Sequence, residues 1–257
     1  KDDSYSLFRV FIGNNLLTAP GHIWRKYRKL INPALHPSNV EHFLPVFNDL
    51  GRKLSDKFAV PAPPFDPTHD FQDMAYNAIL STVVSAEVTD DLKDTKCIIN
   101  GVGSFFVLGI LKKWLHIDWL IHFLYRKELK DFLRFFDKIT DLLNREREKK
   151  EMLRKEGPDM LNERLSGVNL LDVVFDNQPM KTEDHDWRDE LTTMVSAGSD
   201  TVVGTLSFLL VTLGQYPEVQ EKIFEEIQEV MGDLDRDVTA ADVTAMTYLN
   251  QVILESI

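Results

Sequence analysis

The sequence predicts a mainly α protein with little β structure. Three observations carry this. Apolar residues recur three and four apart along most of the 257 residues, which is the period of a helix with one buried face. Long alternating apolar and polar runs, the mark of half-buried strands, are absent. Pro, Gly and capping residues punctuate the chain at helix-length intervals. The composition, 44% hydrophobic and 27% charged, suits a chain that buries a core and argues against disorder. No repeat of 20 to 50 residues is visible. Residues 1–257 read as a single mostly helical domain with a weak joint near 154–169.

The elements follow in order. Trp24 to Ile31 forms a short helix after the turn at Pro20-Gly21, and Pro33 ends it by disfavouring the α region at Asn32. Val40 to Phe58 is a second helix with Phe43, Val46, Phe47, Leu50 and Leu54 on one side. Pro61, Pro63, Pro64 and Pro67 mark a loop. Thr68 is placed to cap a helix from His69 to Val84, with Asp70 in its first turn. Lys93 to Leu111 and Lys127 to Leu153 are further helices, joined by an aromatic loop carrying Trp114, Trp119, Phe123 and Tyr125. The charge run from Arg145 to Glu151 alternates in sign, so pairs such as Glu146 with Lys150 make it a solvated face. Lys155 to Asn169 is a polar connector and Leu170 to Phe175 a short apolar helix. Trp187 to Tyr216 is one long helix. Pro217 opens the next, which runs to Met231 and is closed by Gly232. Thr239 with Asp242 has the spacing of a capping box, and a last helix starts near Thr247.

Charge and cysteine usage exclude several functions. The net charge is −12, which rules out a general nucleic-acid coat. A single cysteine excludes a disulfide scaffold and a cysteine-rich zinc site. Seven histidines show no ligand spacing, so no metal ligands are assigned. Yet Ser4 to Val40 holds no Asp or Glu, while carrying Arg9, Arg25, Lys26, Arg28 and Lys29. A basic patch on an acidic protein suits either a local anionic partner or a solvated face. The apolar stretch from Val202 to Leu213 is too short to span a bilayer and suits a buried helix.

Three places carry candidate chemistry. In Ala197-Gly198-Ser199-Asp200-Thr201, Gly, Asp and Thr stand together inside a long helix, where Gly costs about 1 kcal/mol relative to Ala. A groove gives one reason: Gly198 lets something flat approach the backbone, Thr201 bonds back to the Ala197 carbonyl, and Asp200 and Thr201 handle protons there. A kinked packing helix accounts for the same residues. In the second place, Trp24 and Arg28 share a helix face. An indole N–H beside a guanidinium fork suits a carboxylate, as against a plain basic surface helix with one aromatic anchor. The third is Glu255 in the apolar run after Tyr248, which needs a partner if buried. Phosphate loops, His-Glu-x-x-His and Gly-x-Ser-x-Gly are all absent.

Taken in this order, the stretches Leu16 to His36, Ala197 to Gln220 and Met246 to Glu255 resemble the C-helix region, the I and J helices and the start of the K helix of the cytochrome P-450 superfamily. These are haem-thiolate monooxygenases, and the flavour is that of animal microsomal members near the fatty-acid omega-hydroxylase branch, which includes many insect enzymes. The resemblance implies the central part of that fold, from C to K helices, and haem b as cofactor. It implies that Trp24 and Arg28 bond a haem propionate and that Ala197 and Gly198 lie against the distal haem face. Thr201 would hold the proton network of oxygen activation, and Asp200 would feed it. Arg25, Lys26 and Lys29 would face an NADPH-dependent flavoprotein reductase. The substrate would be an apolar small molecule, lined by segments around 95–125 and 187–201, and the location the cytoplasmic face of the endoplasmic reticulum membrane.

Departures from the family pattern set further expectations. The axial cysteine lies in a glycine-rich loop after the K helix. Cys97 has none of that loop's neighbours and is expected to be an ordinary buried thiol. Ala197 stands where the omega-hydroxylase branch often carries a Glu that bonds haem covalently, so no such link is expected. Val202 replaces a frequent second Thr. The chain starts at Lys1 without a signal peptide and stops inside an apolar helical pattern. It therefore reads as a fragment, with the membrane anchor and haem-ligand loop outside it. The reading from a different class is a non-catalytic helical interaction domain or a pseudogene product.

Overall fold

A computed structural model of the chain describes residues 13–59, 66–84, 126–156 and 186–256. Helices α1 (Gly21–Ile31), α2 (Pro37–Val40), α3 (Leu44–Phe58), α4 (Thr68–Ile79), α5 (Arg126–Glu156), α6 (Trp187–Gln215), α7 (Pro217–Met231), α8 (Ala240–Ala245) and α9 (Thr247–Glu255) follow in order. Among the described residues there is no strand, only an isolated bridge at Asp186, so the mainly α class holds. The elements expected at 93–111 and 170–175, the aromatic loop, Cys97, Pro61, Pro63, Pro64 and the connector beyond residue 156 lie outside the described residues.

Several boundaries differ from expectation for local reasons. Helix α1 begins at Gly21 because Pro20 stands extended before it (φ −57°, ψ 155°) and accepts a hydrogen bond from the Trp24 N–H at 2.9 Å. Asn32 keeps right-handed helical angles (φ −49°, ψ −40°). Pro33 thus stops α1 by lacking a donor N–H, not by pushing its neighbour out of the α region. The expected helix from Val40 is broken. Residues Glu41–Phe43 form a 3-10 turn, and α3 restarts at Leu44 with Pro45 in its first turn, where a missing N–H costs nothing. Phe47 is exposed, and no side chain of α3 is fully buried. At α4 the capping acid is Asp66, which accepts from the Thr68 N–H at 2.9 Å and from its hydroxyl, so Thr68 is the first helical residue. The helix then widens into a π turn, Leu80–Val84. In the charge run the pairs formed are Arg147 with Glu151 and Lys149 with Glu146; the Lys150 side chain lies outside the described residues.

The chain divides into two compact units. The first takes Lys1–Asn39 and Ile79–Ala197, the second Val40–Ala78 and Gly198–Ile257. In the first, α1 buries Tyr27 and Ile31, and α6 buries Trp187, Leu191 and Val195. Tyr27 meets Trp187 edge-on, with ring centroids 5.5 Å apart and planes at 84°, a favoured aromatic arrangement.

In the second unit, Phe71, Ala75 and Val203 form a buried cluster, with Leu54, Phe58 and Leu206 packed on it. Asn48 of α3 holds the Val238 backbone on both sides, donating to its carbonyl at 3.0 Å and accepting from its N–H at 3.1 Å. Gly232 closes α7 at φ 64°, as its placement predicts. The capping box of Thr239 and Asp242 is formed. Arg236 adds a bidentate pair to Asp242 and donates to the Met231 carbonyl, fastening the end of α7 to the start of α8 and holding the Asp242 carboxyl well below its ordinary range. Glu226 of α7 accepts from the Tyr248 and Leu249 N–H groups at 2.7 and 2.8 Å, so a neighbouring helix caps α9 where its own sequence offers no capping side chain.

Two outcomes follow from this packing. Phe71→Ala should cost about 3–5 kcal/mol in urea unfolding followed by circular dichroism, by loss of a buried aromatic and the cavity it leaves. Backbone donors from Tyr248 and Leu249 hold the Glu226 carboxyl below its ordinary value of 4.5. Its contribution to stability is therefore present above that pH and lost as pH falls through the folded value. The stability gap between the parent chain and Glu226→Gln should narrow on acidification below pH 4.5; a gap that widens would contradict the cap.

Candidate functional site

Helix α1 turns Tyr27 and Ile31 inward and leaves the opposite flank open. Trp24 is 39% exposed, and Arg25, Lys26, Arg28 and Lys29 are exposed beside it. Among the described residues, neither the Trp24 indole nor the Arg28 guanidinium has a partner, and none of these four cations forms an ion pair. Lys26 places its ammonium 5.0 Å from the Tyr27 ring centre. Four residues apart on one helix, Trp24 and Arg28 present an N–H and a guanidinium fork to the same side.

What holds α1 in place was not foreseen from sequence. Residues 13–19 form a compact turn immediately before it. The Asn15 side-chain carbonyl accepts from the Leu17 and Thr18 N–H groups at 2.9 and 3.2 Å, and the Thr18 hydroxyl donates to the Gly13 carbonyl at 2.8 Å. This turn is bound to the first turns of α6. The Asn14 N–H donates to Asp189 at 3.0 Å, the Leu16 N–H to Glu190 at 2.7 Å, and the Asn15 amide to the Thr193 hydroxyl at 2.8 Å. Asp189 is 8% exposed, Glu190 2% and Asn15 fully buried. Burial pushes the Asp189 carboxyl up, against the hydrogen bond from Asn14 and the nearby Arg188, which pull it down. Gly13 sits at φ 69°, and a Cβ there would stand 1.8 Å from an Asp189 carboxylate oxygen. Only glycine fits both the backbone angle and the space. The signals that point here are the turn-forming Gly13-Asn14-Asn15 and the acid pair opening an apolar helix.

The second sequence-derived group lies further along α6. Ala197, Asp200 and Thr201 are exposed, Gly198 is partly exposed, and Ser199 is buried at 2%. Asp200 and Thr201 therefore carry no burial cost: the helix turns them outward and buries Ser199 instead. The apolar run after them is likewise one-sided. Val203 is buried, while Val202, Phe208, Leu210 and Val211 are exposed. By length and composition α6 is apolar enough to cross a membrane, but its first half is anchored by the buried Trp187, Leu191, Val195 and the acid pair. Glu255 is exposed on α9 and needs no buried partner. Ala197 closes the first unit and Gly198 opens the second. No three of His, Cys, Asp and Glu come together as a metal-holding group among the described residues.

The family model for Cytochrome P450 matches residues 2–257, and the chain belongs to this family. Among its relatives, Cytochrome P450 4c21 of Blattella germanica is 29% identical over 98% of the chain and 53% of its own length. Cytochrome P450 4d2 of Drosophila melanogaster is 26% identical over the whole chain and 55% of its own length. Human Cytochrome P450 4V2 is 27% identical over the whole chain and 51% of its own length. The chain thus spans about half the length of the curated relatives it matches. The cofactor implied by the family is haem. Its propionates are carboxylates, and the open indole and guanidinium donors on α1 have the chemistry that a carboxylate takes, so this part of the chain fits the group.

The close approach at residue 13 is testable by itself. Gly13→Ala should lower stability by at least about 1–2 kcal/mol, the cost of a left-handed backbone angle alone, with the Asp189 clash added. Thermal unfolding measures it; an unchanged midpoint would contradict the close approach.

Proposed function

We propose that this chain is part of a haem-thiolate monooxygenase that inserts one oxygen atom from dioxygen into an apolar substrate. The observation that carries this reading is the donor pair Trp24 and Arg28, exposed on α1 and without a partner among the described residues, in a chain whose family match runs over residues 2–257. In this reading Trp24 and Arg28 bind a propionate by charge-assisted hydrogen bonds, contributing roughly 1.5–3 kcal/mol. Ala197 and Gly198 keep one flank of α6 low enough for a flat ligand. The Thr201 hydroxyl donates and accepts a proton, and the Asp200 carboxylate exchanges it with solvent, to which both residues are open. Haem, when bound, supplies the redox chemistry and the oxygen-binding site. Ala197 itself has no carboxylate, so no covalent link to the cofactor is expected at that position.

The exposed row Arg25, Lys26 and Lys29 suits an acidic surface, and a flavoprotein reductase using NADPH is the partner of matching role. The likeness to the animal branch supports a membrane-bound enzyme, with the endoplasmic reticulum as its location. One relative, Cytochrome P450 4e5 of Drosophila mettleri, carries the word mitochondrial in its name, so cell fractionation decides between the two. A purely structural helical domain is disfavoured by the open donor pair and by the family match.

The full-length protein should bind haem and show an absorption band near 450 nm with carbon monoxide. Its absence would overturn the reading. In that protein, Thr201→Ala should consume reductant and oxygen with several-fold less product formed per oxygen, as expected when a group that delivers protons in the reaction is removed. Unchanged coupling would remove Thr201 from the proton path.

A further inference from the structure

The acid pair at the start of α6 has no part in the mechanism above, yet it is among the most buried polar groups described. We propose that Asp189 and Glu190, with Thr193, are positioning residues for the carboxylate-binding edge formed by Trp24 and Arg28. The inference rests on the proposed function and names what holds that edge in place.

The argument is one of chain connection and fixed points. The turn at 13–19 leads directly through Pro20 into α1, and Trp24 lies one turn further on. Three hydrogen bonds from that turn end on Asp189, Glu190 and Thr193, on successive turns of a single helix. A second fixed point follows within α1, where Tyr27 meets Trp187, the residue that opens α6. Tyr27 stands between Trp24 and Arg28 in sequence, on the inward face. The entry of α1 and its middle are therefore both referenced to the first turns of α6. Nothing else described engages the outward donors, so these contacts, with the burial of Ile31, fix where they stand. Two donors that must meet one carboxylate lose much of their effect when misplaced by about 1 Å.

A buried carboxylate is suited to this task. It is costly to leave with fewer donors, so each acid favours keeping its backbone N–H; Asp189 also pairs with Arg188 at 3.4 Å. Gly13, with its close approach to Asp189, leaves no room for the turn to relax inward.

The test is a double-mutant cycle in the full-length protein, read as the rate of haem transfer to excess apo-globin. Arg28→Ala should raise that rate about tenfold or more, the loss of one charge-assisted bond. Glu190→Ala should raise it about five- to tenfold with Arg28 present and less than about twofold in the Arg28→Ala background, because the two changes act on one contact. Glu190→Gln, whose amide oxygen still accepts from the Leu16 N–H, should stay within about twofold of the parent. Should Glu190→Ala fail to fold, Thr193→Val, which removes only the acceptor of Asn15, takes its place in the cycle with the same expected pattern. Equal acceleration in both backgrounds, or none with Arg28 present, would show that the clamp serves stability alone and overturn the proposal while leaving the haem reading intact. A protein that binds no haem, or whose haem loss ignores Arg28→Ala, would overturn both.

Discussion

Two carboxylates buried side by side at the first turn of a helix would be a liability if nothing met them. Here they are met by backbone donors of a distant part of the chain. Asp189 takes the Asn14 N–H and Glu190 the Leu16 N–H, across more than 170 residues of sequence. The helix that bears the acids also favours them electrostatically, since its own N-terminus carries partial positive charge. This exchange ties the entry of α1 to the start of α6. The candidate chemistry of the first unit, the open Trp24 and Arg28, rests on it.

The same physics recurs in the second unit. Helix N-termini leave donors without partners, and at three of them a carboxylate is placed nearby. Glu226 reaches from α7 to the start of α9, Asp242 closes a box with Thr239, and Asp66 caps α4 from outside. An acidic chain with net charge −12 has many such groups to place. The outer flank of α1 differs in carrying four cations with no acid among them. Charge asymmetry of this kind does not decide the fold, but it does decide which surface attracts an anionic partner.

Much of the helical order was legible in sequence because its causes are local. The span of α6, the stop at Gly232, the box at Thr239 and Asp242 and the sharing of a face by Trp24 and Arg28 each depend on residues within one or two turns. The errors were local in a different sense, where one residue type can act in two ways. Pro33 stops α1 by a missing donor, and Asn32 stays helical. Pro45 breaks the expected long helix at 40–58 into pieces. Thr68 donates its hydroxyl to Asp66 and caps nothing. In each case the residue was the right landmark and the mechanism was the other of its two options.

By itself the sequence determined that the chain is helical, where most helices stop, and that an indole and a guanidinium stand together on one of them. Period and capping express short-range sterics and hydrogen bonding, which a linear string contains in full. Tertiary structure alone decided which side of each helix faces inward. It turned Asp200 and Thr201 outward, buried Ser199, left Phe208 and Val211 exposed and sank Glu190 against residues 13–18. Burial depends on what arrives from elsewhere in the chain, and a carboxylate gives the same sequence signal whether it meets water or a remote backbone N–H.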